Sequence, residues 1–130
     1  MNLKTRLSVE TLIAEAKHFC EAQSKENHVK LIGITDGKAV GTYVEQMFRK
    51  HLFSHYEFTV GNSAKGIDLP DASINTDIKV TSVAQPQSSC PFRNARQKIF
   101  GLGYNLLLFV YEKKGYCRQL HIESHSLRIY

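Results

Sequence analysis

Long apolar runs are absent from this 130-residue chain, and the longest, Leu106–Val110, falls far short of the roughly 20 residues a membrane span needs. No basic, apolar, small-residue leader opens it either, since charged and polar groups recur from Lys4 to Glu15. The default expectation is a soluble, cytoplasmic protein of bacterial type. Cysteine is scarce: Cys20, Cys90 and Cys117 are odd in number, far apart and form no CxxC pair. Neither a zinc cage nor a disulfide framework is indicated. There is no glycine-rich phosphate loop and no serine nucleophile elbow. Nothing repeats, and no low-complexity tract or linker divides the sequence. A single domain over 1–130 is expected, with 1–35 as a helical lead-in.

What is present suffices for a core, with 42% apolar residues and 10% aromatics. Lysine and arginine exceed aspartate and glutamate by 17 to 12, giving a net charge of +5 and a pI near 9.2. That surplus suits a polyanion partner such as nucleic acid without requiring one.

Val9, Leu12, Ile13, Ala16, Phe19 and Cys20 recur at helical spacing behind Ser8, a natural cap. A second helix is signalled from Lys38 to about Leu52 by Val40, Val44, Met47, Phe48 and Leu52, after a turn at Asp36-Gly37. Tyr56, Phe58 and Val60 then alternate at the strand period, and a turn through Gly66–Asp71 leads to a strand at Asp77–Val83. Arg93 to about Phe100 reads as a short helix closed by Gly101 and Gly103. Tyr104–Tyr111 reads as a doubly buried strand, Glu112–Gly115 as a turn, and Tyr116–Ile122 as a more polar strand. The expected order is helix, helix, three strands, helix, two strands.

An acidic residue two positions before a lysine occurs four times, at Glu15/Lys17, Asp36/Lys38, Asp77/Lys79 and Glu112/Lys114. On a helix such residues point about 200° apart and cannot share a ligand. The second pair flanks a turn glycine, and the fourth falls in a hairpin turn. Only Asp77 and Lys79 lie in a strand, where a period of two puts both side chains on one face and turns Ile78 inward. Asp68, nine positions earlier, can be folded back beside Asp77. Two carboxylates beside one ammonium suit Mg²⁺, a hard ion that takes oxygen ligands. Glu45 stands about 100° around its helix from Val44, at the border of the apolar stripe. Gly41, one turn earlier, permits a close approach. Ordinary salt bridges remain the competing explanation for all of these residues. His51 and His55, four apart, have metal-ligand spacing but sit at a helix end, which explains them without a metal.

Glu45 on a helix, then Gly66-Ile67-Asp68, then Asp77-Ile78-Lys79 in a strand, resembles the PD-(D/E)xK nuclease superfamily. The element order over about Lys38–Tyr111 matches its common core, and type II restriction endonucleases look closest. The stretch Gln85–Phe92 after the lysine strand is similar to their DNA-facing loops. One departure is that Ile67-Asp68 stands where the family has Pro-Asp, while Pro70-Asp71 carries that dipeptide. Asp68 is preferred over Asp71 as first ligand because it closes a strand-like segment, whereas Asp71 sits in the turn.

The resemblance implies an α/β (α+β) fold with a central mixed sheet of about four to five strands flanked by helices. It implies a Mg²⁺-dependent endonuclease, with Mn²⁺ as a substitute ion, acting as a homodimer on double-stranded DNA. Asp68, Asp77, the Ile78 carbonyl and Glu45 would hold the metal, and Lys79 would orient the attacking water and stabilise transition-state charge. DNA contacts would come from Lys65, Gln85, Gln87, Ser88, Ser89, Arg93, Asn94, Arg96, Gln97 and Lys98. A junction-resolvase-like repair nuclease, an inactive basic DNA-binding module and a small domain held by salt bridges are the alternatives. The chain is short for a restriction enzyme and stops at Leu127–Tyr130 straight after a strand, so a fragment of one is also an expectation.

Overall fold

The computed structural model describes residues 4–33, 37–61, 67–83, 103–114 and 119–127. Helix α1 spans Val9–Lys25. Its start is fixed by a reciprocal capping pair: the Thr11 N–H donates to Ser8 Oγ at 3.2 Å, and the Ser8 N–H donates to Thr11 Oγ1 at 2.9 Å. Leu12, Ala16, Phe19 and Cys20 form its buried stripe. Burial raises the Cys20 thiol to about 11, so it behaves as a small apolar side chain.

A short 3₁₀ turn, Val29–Leu31, leads toward helix α2, Gly37–His55. Buried His28 is satisfied, with Nδ1 2.9 Å from the Tyr43 hydroxyl and Nε2 2.8 Å from the Gln23 carbonyl. Val40, Gly41, Val44, Phe48 and Leu52 face the core. A Cβ on Gly41 would lie 3.7 Å from Val80 Cβ, so the close approach read at this position is a helix–strand contact. Phe19, Phe48 and Phe109 meet edge to face, with ring centres 4.9–5.7 Å apart, and lock both helices to the sheet.

That sheet has three strands among the described residues: β3 (Thr76–Ser82), β4 (Asn105–Lys114) and β5 (Gln119–Leu127), in the order β3-β4-β5. β3 runs parallel to β4, with Ile78 opposite Leu107 and Lys79 opposite Leu108, and β4 runs antiparallel to β5. Ile78, Leu107, Phe109 and Tyr111 pack into the helical core, whereas Leu108 and Val110 are buried apart from it. A separate parallel pair, β1 (Thr5–Arg6) and β2 (Tyr56–Glu57), ties the start of the chain to the end of α2.

The mixed α and β content agrees with expectation, and several details correct it. Among the described residues, five strands are divided between two sheets instead of sharing one. The alternating Tyr56–Val60 segment forms only two strand residues, because the Thr59 N–H turns to Asp71 Oδ2 at 3.0 Å. Asp68 lies outside the named strands, in a loop held by the Leu69–Thr76 bridge and by the Gly61 N–H, which donates to the Asp68 carbonyl at 2.9 Å. Glu112–Lys114 continue β4 instead of turning, because they pair with His121–Gln119. The predicted helix at Arg93–Phe100 lies outside the described residues.

Candidate active site

Among the described residues β3 is the edge strand of its sheet, so its outward backbone groups find partners other than a neighbouring strand. The loop before it supplies them through a side chain. The Ile78 N–H donates to Asp68 Oδ2 at 2.9 Å, and the Asp68 N–H donates in return to Asp77 Oδ1 at 3.3 Å. Asp68 is held against the edge of β3 by this exchange and by the two Leu69–Thr76 backbone bonds, both 3.0 Å.

Strand periodicity puts Asp77 and Lys79 on one face, with Lys79 Nζ 3.7 Å from Asp77 Oδ2. The Asp77 side chain is 7% exposed and that of Lys79 44%, so the lysine stands at the mouth of the patch. Glu45 reaches in from α2. Arg49, one turn later, places its guanidinium 2.7 Å from Glu45 Oε1 and also pairs with Asp68 Oδ1. Glu45, Asp68, Asp77 and Lys79 are therefore neighbours, contributed by a helix, a loop and a strand.

The carboxyls polarise one another. Burial, then the hydrogen bond to Asp68 and its charge, push Asp77 up to about 7, with Lys79 pulling the other way. Burial and the Asp68 charge likewise raise Glu45, against the pull of Arg49. Asp68 moves downward: burial would raise it, but hydrogen bonds from the Asp77 carboxyl and the Ile78 N–H, with Arg49 beside it, hold it below the ordinary carboxylate range. Below about pH 7 the charge therefore sits on Asp68 and the proton on Asp77. Three carboxyls, Glu45, Asp68 and Asp77, face two cations, Arg49 and Lys79, so the fully ionised patch is left with a net negative charge that suits a hard divalent cation in place of that proton. The donor chemistry fits the ion. The arrangement is not a ready cage, since among the described residues no group of three or more His, Cys, Asp or Glu converges as metal ligands. Arg49 fills the space between Glu45 and Asp68.

Arg49 was missed in the sequence, although its signal was there: it stands four residues after Glu45, the spacing of a helical ion pair. Asp71 is occupied elsewhere, accepting from the Thr59 N–H and lying 3.7 Å from Arg6. Its carboxyl is lowered chiefly by that Thr59 bond. His51 pairs with Glu15 at 2.5 Å, and His55 Nδ1 lies 3.0 Å from the His51 carbonyl, so both have protein partners. Lys65, Gln85, Gln87, Ser88, Ser89, Arg93, Asn94, Arg96, Gln97 and Lys98 lie outside the described residues. No helix among the described residues is long and apolar enough to cross a membrane.

No solved structure matches the chain. A curated protein from Nostoc sp. (strain ATCC 29411 / PCC 7524), named type II restriction enzyme NspV, is 61% identical over 109 residues. The match covers 84% of this chain and 49% of that protein, so the chain spans about half the relative's length. The likeness to type II restriction endonucleases read from Glu45, Asp68, Asp77 and Lys79 agrees with this similarity. A family model described as type II restriction enzyme NspV matches residues 6–126, and on that match the chain belongs to this family.

Proposed function

We propose that this chain carries the catalytic patch of a Mg²⁺-dependent DNA endonuclease of the type II restriction class, built on a PD-(D/E)xK core. The observation that carries the reading is the meeting of Glu45, Asp68, Asp77 and Lys79 where the Asp68 loop lies along β3. Asp68, Asp77, the Ile78 carbonyl and Glu45 would hold Mg²⁺, with Mn²⁺ as substitute. Bound there, the ion would supply Lewis-acid polarisation of a phosphoryl oxygen and acidify water. Asp68 contributes the resident charge, and Asp77 gives up its proton as the cation binds. Lys79, exposed beside Asp77, orients the attacking water and meets the negative charge that grows at phosphorus. The substrate is double-stranded DNA. The acting unit is a homodimer, a reading supported by the resemblance and checked by light scattering.

The Arg49 bridge favours a second reading, a basic DNA-binding module whose carboxylates only hold the fold. Incubating the chain with plasmid DNA and Mg²⁺, with EDTA as control, separates the two. Nicking or linearisation that stops with EDTA is expected. Intact plasmid at micromolar protein, from a chain that still retards duplex DNA, would favour the inactive module.

A further inference from the structure

On the outer side of α2 lies an open groove of about 460 Å³, lined by Lys4, Gln46, Arg49, Lys50, Phe53 and Ser54. Three of these residues are cations, and among the described lining residues there is no carboxylate. Lys4 is anchored there, its ammonium donating to the Phe53 carbonyl at 2.5 Å, which leaves two of its three N–H groups for other acceptors. Gln46 and Ser54 add neutral hydrogen-bonding groups, and the 44% exposed Phe53 gives an apolar wall. Arg49 belongs to both places, since it lines the groove and also pairs with Glu45 and Asp68 of the catalytic patch. The groove therefore begins where the candidate active site ends.

A second groove, about 500 Å³, lies between α1 and β5 and also carries two lysines, Lys17 and Lys25. Glu21 and Glu123 line it as well, so a polyanion there would face carboxylates. Lysines alone do not separate the two surfaces; the acids do.

Resting on the nuclease reading, we propose that the Lys4–Arg49–Lys50 groove is the track for the DNA strand flanking the scissile phosphate. Lys4 and Lys50 hold successive backbone phosphates, and the Gln46 amide donates to a phosphate or sugar oxygen. Such contacts fix the register of the duplex over the carboxylates and carry no sequence information. Arg49 links the track to the patch.

The test is titration of the 130-residue chain with duplex DNA, without divalent metal, over a range of salt concentrations. Lys4→Gln/Lys50→Gln is compared with Lys17→Gln/Lys25→Gln in the other groove. Two lost phosphate contacts should flatten the log–log salt dependence by about 1.8 and weaken low-salt binding about tenfold or more. The control pair should leave the slope at the wild-type value. Because Lys4 also bonds the end of α2, Lys50→Gln alone is included, with an expected flattening of about 0.9 at an unchanged melting temperature. An unchanged slope in the Lys4/Lys50 variants overturns the assignment, and so does an equal loss in the control pair. Failure of the nuclease reading is seen separately, as intact plasmid with Mg²⁺, and leaves the slope comparison decisive for the groove.

Discussion

Asp68 and Asp77 are locked across nine residues of chain: the Asp68 N–H donates to Asp77 Oδ1 at 3.3 Å, while Asp68 Oδ2 receives the N–H of Ile78 at 2.9 Å. The two side chains titrate in opposite directions as a result, Asp68 lowered and Asp77 pushed up to about 7 by burial and by Asp68. A carboxyl whose folded pKa is raised gives stability that is fully present below its ordinary value of 3.8 and is lost as pH rises through about 7. Asp77→Asn keeps the shape, keeps an acceptor for Asp68 and replaces the shared proton with an amide N–H. Without metal, this variant should melt above wild type at pH 8 and converge with it below pH 4. Melting curves of the two proteins that stay parallel from pH 4 to pH 8 would remove the shared proton.

Metal binding should oppose this effect in wild type. Added Mg²⁺ supplies the missing positive charge, so it should raise the melting temperature more at pH 8 than at pH 5, where Asp77 keeps its proton. Asp68→Asn and Asp77→Asn should each lose calorimetric Mg²⁺ binding while remaining folded. Unchanged Mg²⁺ affinity in Asp77→Asn would sink the ligand assignment.

A second polar cluster bears on stability. Glu15 on α1 pairs with His51 Nε2 at 2.5 Å and accepts from the Tyr56 hydroxyl at 2.8 Å, joining α1 to the end of α2. The His51 bond is the main cause of its lowered pKa. Stability from a lowered carboxyl is present above its ordinary value of 4.5 and is lost as pH falls through the folded value. Glu15→Gln should therefore cost about 1 kcal/mol at pH 6–7, the usual scale for one such hydrogen bond, and less near pH 3. Denaturant melts at the two pH values check this. An equal cost at both would leave Glu15 with packing alone.

How much of this was legible in the sequence differs by element. α1 was readable because a local signal specifies it: Ser8 and Thr11 make the cap, and the apolar stripe repeats at the helical period. The Leu106–Val110 run was readable as a strand because it is buried on both faces. β1 and β2 carried no such signal. They are two residues long and pair across some fifty positions, so only the tertiary fold creates them. Residues 56–60 alternate as a strand should, yet pairing stops at Glu57, since alternation describes a face and cannot supply a partner. The shared face of Asp77 and Lys79 follows from strand geometry and was visible in advance. Arg49 was not singled out, because an arginine four residues after Glu45 looks like any surface pair until the loop carries Asp68 to it.

Lys79→Ala tests the chemistry most directly. The Lys79 ammonium lies 3.7 Å from Asp77 Oδ2 and is the exposed member of the pair, so its removal leaves Asp68, Asp77 and Glu45 in place. Because its lysine end stands in solvent, the pair contributes about 0–1 kcal/mol, and the melting temperature should hardly move. Metal affinity should persist, because an ammonium is not a ligand. Turnover should fall by about 10²–10³, the scale of deleting one group positioned on transition-state charge. Lys79→Arg should not restore it, since a delocalised planar fork does not replace a compact point charge. A salt bridge with no catalytic role gives the opposite pattern: a small stability loss and unchanged cleavage. Melting temperature, Mg²⁺ calorimetry and plasmid nicking on these two variants distinguish the outcomes. Wild-type nicking by Lys79→Ala would take Lys79 out of the mechanism, and with it the main chemical support for nuclease activity at this strand edge.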